Sequence, residues 1–184
     1  AAFAETDARV LLGRRPFNAH KNTFGHVLCV AGARQYPGAP FLAGEAALRS
    51  GAGLVTVAIP AGVACPPHAK ALIVAKIGSE QDAAFSANML PAVQELLTCK
   101  NALLYGPGTG REVGPELLRL LLAAQQPLVI DADGLRLLAA HPELLALDKA
   151  SAPVILTPHP GEMAALLTGF QLTQLLHEPR PEQA

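Results

Sequence analysis

The sequence predicts an α/β protein built on a mostly parallel central sheet with helices on both faces. Three observations predict it. Short apolar runs of strand length alternate with stretches of helical composition over residues 26–167. Gly or Pro closes many of them, as at Gly32, Pro60, Gly106 and Gly169. The polar, glycine-rich segments follow the strands, where an open α/β sheet binds its ligands.

Residues 1–20 read as a lead-in or linker that ends in the polar Asn18-Ala19-His20. Residues 26–31 (HVLCVA) form a continuous apolar run, the pattern of a strand buried on both faces. After a loop rich in Gly and Pro, residues 41–50 (FLAGEAALRS) are helical in composition, and Gly51-Ala52-Gly53 stops them. Residues 54–59 (LVTVAI) are a strand rich in β-branched residues and closed by Pro60. Residues 61–84 carry the weakest pattern, with a short strand expected at 71–74. A helix is expected over 86–98 with Ser86 as its N-cap. Residues 102–105 are a strand, and 115–124 a helix with Pro115 in its first turn. A strand at 128–130, a short helix at 134–140, a strand at 154–156 and a helix at 161–167 complete the alternation. Right-handed crossovers follow from backbone chirality. Residues 171–184 read as a polar tail.

Composition excludes several functions. Of 184 residues, 51% are hydrophobic and 16% charged, which is globular rather than disordered. The net charge of -1 argues against a nucleic-acid grip or an anionic membrane surface. No apolar run reaches the length of a membrane span. The first residues carry acids early and a basic pair late, the wrong polarity for a secretory signal, and the sparse cysteine usage makes a reducing cytoplasm the expected location. Cys29, Cys65 and Cys99 lack CxxC spacing, which suggests neither a disulfide framework nor a zinc site. Cys29 and Cys99 read as small buried hydrophobes. Aromatics are 4% and Trp is absent, which disfavours base stacking.

Four segments are expected to share one rim: residues 31–40 (AGARQYPGAP), 106–110 (GPGTG), 131–134 (DADG) and 157–162 (TPHPGE). The glycines of GPGTG suit close approach of backbone to a ligand, or simply a tight turn. GPGTG lacks the Gly-Lys-Ser/Thr of a Walker loop and is not the dinucleotide fingerprint. Asp131 and Asp133, two apart on an extended segment, would point the same way and bind a cation or a hydroxyl; alternatively Asp133 caps the next helix. No third carboxylate stands near to build a metal cage. Two prolines bracket His159 and hold its imidazole on a stiff turn, which favours ligand contact. Glu162 falls in the first turn of the following helix, where capping or dipole compensation is the expected role. Lys21 is placed either to reach phosphate or to stay solvated.

Five segments in order, 21–39, 44–58, 103–111, 127–139 and 154–167, resemble the ATP/ADP-dependent NAD(P)H-hydrate dehydratases. The resemblance implies a ribokinase-like three-layer α/β/α fold over residues 21–170, with the C-terminal part of the domain missing. It implies repair of hydrated NADH or NADPH with ADP or ATP consumed, and Mg²⁺ as is usual in phosphoryl transfer. The hydroxyl of the hydrated ring would be phosphorylated and phosphate then eliminated. By motif, Ala39, Gly108, Gly110 and His159 match the contacts to hydrated cofactor. The sequence departs mildly from the family at AGARQYPGA, GPGTG and DADG. It departs strongly in lacking the Lys-Gly loop and the GGxGD segment, whose Asp would activate the substrate hydroxyl. No catalytic residue is therefore assigned, and weak turnover by this chain is expected. A truncated sheet would also leave an unpaired edge and exposed apolar surface. Two other readings stand beside the dehydratase: a non-catalytic nucleotide-binding remnant, and another ribokinase-like small-molecule kinase. A fused or separate epimerase domain and a homo-oligomer are left open.

Overall fold

The computed structural model describes residues 15–67, 71–145 and 151–178. Six strands form one sheet: β1 (His26–Val30), β2 (Leu54–Pro60), β3 (Ile73–Ile77), β4 (Ala102–Tyr105), β5 (Leu128–Ile130) and β6 (Val154–Leu156). Their order is β3-β2-β1-β4-β5-β6, and every pairing is parallel. The helices are α1 (Ala39–Arg49), α2 (Leu90–Leu96), α3 (Pro115–Leu122), α4 (Asp133–Ala140) and α5 (Pro160–Gly169).

Strand alternation separates two apolar layers. On one face Leu28, Val30, Leu103, Tyr105, Leu128 and Ile130 pack with α2, α3, α4 and α5. On the other, Cys29, Val55, Val57 and Ile59 pack with Phe41 of α1. Helix α3 buries Leu117, Leu118, Leu121 and Leu122 as one stripe, each such side chain contributing roughly 1.5–3 kcal/mol. The result is three layers, with α1 opposite the other helices of the described residues. Edge strand β6 has β5 as its neighbour in the sheet, and its Ile155 is 56% exposed on the face opposite α4 and α5.

Several expectations need correction. The third strand is Ile73–Ile77, shifted from 71–74. The expected helix at 86–98 is a 3₁₀ turn at Ala87–Met89 followed by α2. The Ser86 hydroxyl donates to Asn88 Oδ1 and caps no amide. Cys99 is exposed, not buried, and lies at φ +58, where the chain reverses after α2. Cys29 is buried as expected, and burial pushes its thiol up to about 12. The tail is not wholly irregular: Thr173–His177 form a 3₁₀ turn, and the Leu172 amide donates to Leu167 O at the end of α5. Residues 1–14 of the expected lead-in and 179–184 of the expected tail lie outside the described residues. In the lead-in, the Arg15 guanidinium stacks on Phe24 at 4.2 Å and donates to Gly51 O.

Candidate functional site

The strand order reverses between β1 and β4. The chain leaves β1 toward β2 and β3, then returns to β4 on the far side of β1. Loops diverge at such a switch point and leave a crevice. The loops after β1 and β4 meet there: the Gly32 amide donates to Pro107 O at 2.9 Å. Gly32 has φ +87, and a Cβ on it would lie 2.7 Å from the Pro40 ring. The first loop is tied back as well, since the Arg34 guanidinium donates to Glu80 O and Gln81 O.

GPGTG is a closely fitted turn. Gly106, Gly108 and Gly110 all have positive φ. A Cβ on Gly108 would lie 2.7 Å from Tyr36 Cβ and 2.8 Å from Ala39 Cβ. Gly108 therefore sits directly against the start of α1, which brings Ala39 and Gly108 together. Thr109 is buried and donates its hydroxyl to Gly106 O. Tyr105 is also buried; desolvation and then the Asp133 charge raise its pKa, against an opposing hydrogen bond with Thr109.

The DADG segment is a turn, not an extended stretch. Ala132 takes φ 50 and ψ -120, and the Gly134 amide donates to Asp131 O. The two carboxylates consequently diverge. Asp131 Oδ1 accepts from Thr157 Oγ1 at 2.9 Å, and Asp133 Oδ2 accepts from the Gly110 amide at 3.0 Å. Asp133 is the first residue of α4 and Ala132 is its N-cap, so the capping alternative for Asp133 is corrected. Asp133 instead braces the glycine loop. The described residues contain no cluster of three or more His, Cys, Asp or Glu groups able to hold a metal ion.

His159 is the N-cap of α5. Its Nδ1 accepts from the amides of Gly161 and Glu162, while Glu162 Oε2 accepts from the His159 amide. This reciprocal pair satisfies free donors at both ends of the turn. It also fixes the tautomer, because an accepting Nδ1 leaves the proton of a neutral ring on Nε2. Nε2 lies 3.3 Å from Glu162 Oε1, and the imidazole is 60% exposed. Glu162 has the capping role expected of it.

Lys21 is not part of this rim. It lies in a 3₁₀ turn before β1, and its carbonyl approaches Gly53 just before β2. That is the amino end of the strands, roughly 16 Å from the rim for a five-residue strand. The sequence reading missed Arg111 and Arg136, which line a cavity beside Gly110 and Asp133. A signal existed: Arg111 directly follows GPGTG, and Arg136 is three residues after Asp133 on one helical face.

A parallel sheet whose glycine-rich loops converge at its switch point defines an α/β ligand-binding domain of the ribokinase-like class. The chain belongs to the NAD(P)H-hydrate dehydratase family, which matches residues 27–178. It is 40% identical over 163 residues to the bifunctional NAD(P)H-hydrate repair enzyme Nnr of Moorella thermoacetica, covering 86% of this chain and 30% of that protein. It is 34% identical to the ATP-dependent (S)-NAD(P)H-hydrate dehydratase of Pediculus humanus subsp. corporis, covering 86% of this chain and 52% of that protein. A crystal structure of the ADP/ATP-dependent NAD(P)H-hydrate dehydratase from Bacillus subtilis, co-crystallized with ATP/Mg²⁺, superposes with a TM-score of 0.68 at 26% identity, covering 93% of this chain and 58% of that one. The chain thus spans less than two thirds of these relatives.

Proposed function

We propose that this chain is part of a dehydratase that returns hydrated NADH and NADPH to their reduced forms with ADP or ATP consumed. The observation that carries the reading is the contact of Gly108 with Ala39 at the switch point. Ala39, Gly108 and Gly110 would form the floor under the hydrated ring, where small residues allow close approach. His159, with its ring fixed by the cap and its Nε2 facing Glu162 Oε1, would present the exposed imidazole to the ligand. Asp133 holds the Gly110 loop in place, and Asp131 holds Thr157, so both act as positioning residues.

In the overall reaction the ring hydroxyl would take a phosphoryl group from the nucleotide. The C–O bond of the resulting ester would then break, releasing phosphate as a ring proton leaves and the double bond re-forms. None of the described side chains is assigned as the base for the first step. Among the described residues no three His, Cys, Asp or Glu groups cluster to hold a metal ion, so a magnesium ion here would take most of its ligands from water and the nucleotide's phosphates. The Bacillus subtilis relative's ATP/Mg²⁺ co-crystal supports the nucleotide and ion as partners of the whole enzyme. A cytoplasmic location accompanies this reading, as does an epimerase partner, which the bifunctional relatives support.

The test is a pair of measurements on this chain. Reduced NADPH binds, and Gly108→Val abolishes binding. Nucleotide-dependent recovery of reduced-cofactor absorbance from hydrated NADPH is very slow. Absence of binding overturns the reading, and rapid recovery overturns the expectation that the catalytic group is not in this chain.

A further inference from the structure

A cavity of about 410 Å³ opens between the GPGTG loop, the start of α3 and one face of α4. Its size falls within the usual range of small-molecule sites. Gly110, Arg111, Pro115, Asp133, Arg136 and His141 are among its lining residues. Gly110 and Asp133 also belong to the rim, so the cavity continues the proposed cofactor site.

Its charge is unbalanced. Among the described residues, neither the Arg111 nor the Arg136 guanidinium has an ion-pair or hydrogen-bond partner. Asp133 offsets only one of the two positive charges, and its Oδ2 accepts from the Gly110 amide while the carboxylate forms no ion pair with either arginine. His141 Nδ1 is 3.2 Å from Glu143 Oε1, which leaves the arginines as the unmatched cations of the groove. The cavity also borders the start of α3, where Gly114 is the N-cap and Pro115 the first helical residue. A helix start adds positive potential to that wall. Planar guanidinium groups favour phosphate oxygens, which they can engage in two parallel hydrogen bonds.

We propose that this groove is a phosphate subsite in which Arg111 and Arg136 hold a phosphate of the adenosine half of a reduced dinucleotide. The proposal rests on the reading that the rim takes the nicotinamide half. The rim orients the ring, and the groove fixes the distal half of the molecule. Arg111 follows the glycine loop directly, and Arg136 lies on α4 one turn beyond Asp133. One bound dinucleotide therefore touches both the loop and the helix that Asp133 joins.

The test compares binding of NADPH, reduced nicotinamide mononucleotide and inorganic diphosphate to the full chain by calorimetry. Arg111→Gln and Arg136→Gln are each compared with Arg49→Gln, an exposed charge on α1 across the sheet. Each groove variant should weaken NADPH binding about tenfold, as expected for loss of a charge-assisted hydrogen bond near solvent. Mononucleotide binding should stay unchanged, and Arg49→Gln should have no effect. Equal losses with all three variants would mean bulk electrostatics and overturn the proposal. NADPH binding indifferent to both groove variants would overturn it while leaving the rim reading intact. Diphosphate binding that needs both arginines, with no dinucleotide binding, would overturn both the assignment to a dinucleotide and the dehydratase reading. Normal thermal unfolding of the variants separates lost binding from lost folding.

Discussion

Gly108→Ala tests how the rim is held together. Two costs combine. An L-residue in the left-handed region costs about 1–2 kcal/mol, and Gly108 has φ +64. The new Cβ would also overlap two carbons, at 2.7 Å from Tyr36 Cβ and 2.8 Å from Ala39 Cβ. Ordinary carbon contacts lie near 3.5–4.0 Å, so the first loop must move, and overpacking of this kind costs about 1–3 kcal/mol. The expected loss is about 2–5 kcal/mol. Gly110→Ala is the control. It shares a positive φ of +84, but its nearest neighbour would be Ala33 Cβ at 3.8 Å. Its loss should be about 1–2 kcal/mol, from backbone strain alone. Urea unfolding at constant m measures both. Adding Ala39→Gly to Gly108→Ala should return part of the loss, because one clashing carbon is gone. Equal losses at Gly108 and Gly110, with no rescue, would refute the contact between the two loops.

Three other outcomes follow from the same geometry. Asp133→Ala should cost about 1–3 kcal/mol by leaving the Gly110 amide without its carboxylate, with faster hydrogen exchange at Gly110; unchanged exchange would contradict the brace. His159→Ala should cost about 1 kcal/mol of α5 stability, and His159→Asn, a strong N-cap residue, should recover it without restoring cofactor binding; full recovery of both would reduce His159 to a cap. Stability should fall in alkali. The buried Cys29 thiol is raised from 9.0 to about 12, so its contribution is complete below pH 9 and is lost as pH rises toward about 12, at up to about 1.4 kcal/mol per pH unit. Cys29→Ala should flatten that slope in urea titrations, and an unchanged slope would contradict the assignment.

The sheet was legible because its signals are local. The apolar runs HVLCV and ALLY fit strands buried on both faces, as in a covered parallel sheet, and Gly32 and Gly106 mark where they stop. Residues 71–77 were harder because β3 is an edge strand with Ile73 and Lys76 exposed, so its pattern is mixed. Cys99 reads by residue type as a small buried hydrophobe, whereas the chain places an exposed left-handed turn residue there. In the rim, the participating segments followed from their positions after strands. How they interlock did not. The divergence of Asp131 and Asp133 depends on φ 50 at Ala132, a conformation that alanine rarely adopts and no pattern announces. The Gly110 to Asp133 bond joins residues 23 apart and exists only once β4 and β5 are paired. The charge of Lys21 suits a phosphate, but topology puts the residue at the other end of the sheet.

The most direct measurement is an amide chemical-shift map of the labelled chain titrated with hydrated NADPH. Shifts should concentrate at Ala39, Gly108, Gly110 and the turn at His159, and Lys21 should remain still. Shifts centred on the Lys21 end of the sheet, or none at saturating ligand, would contradict a cofactor site at the β1/β4 switch point.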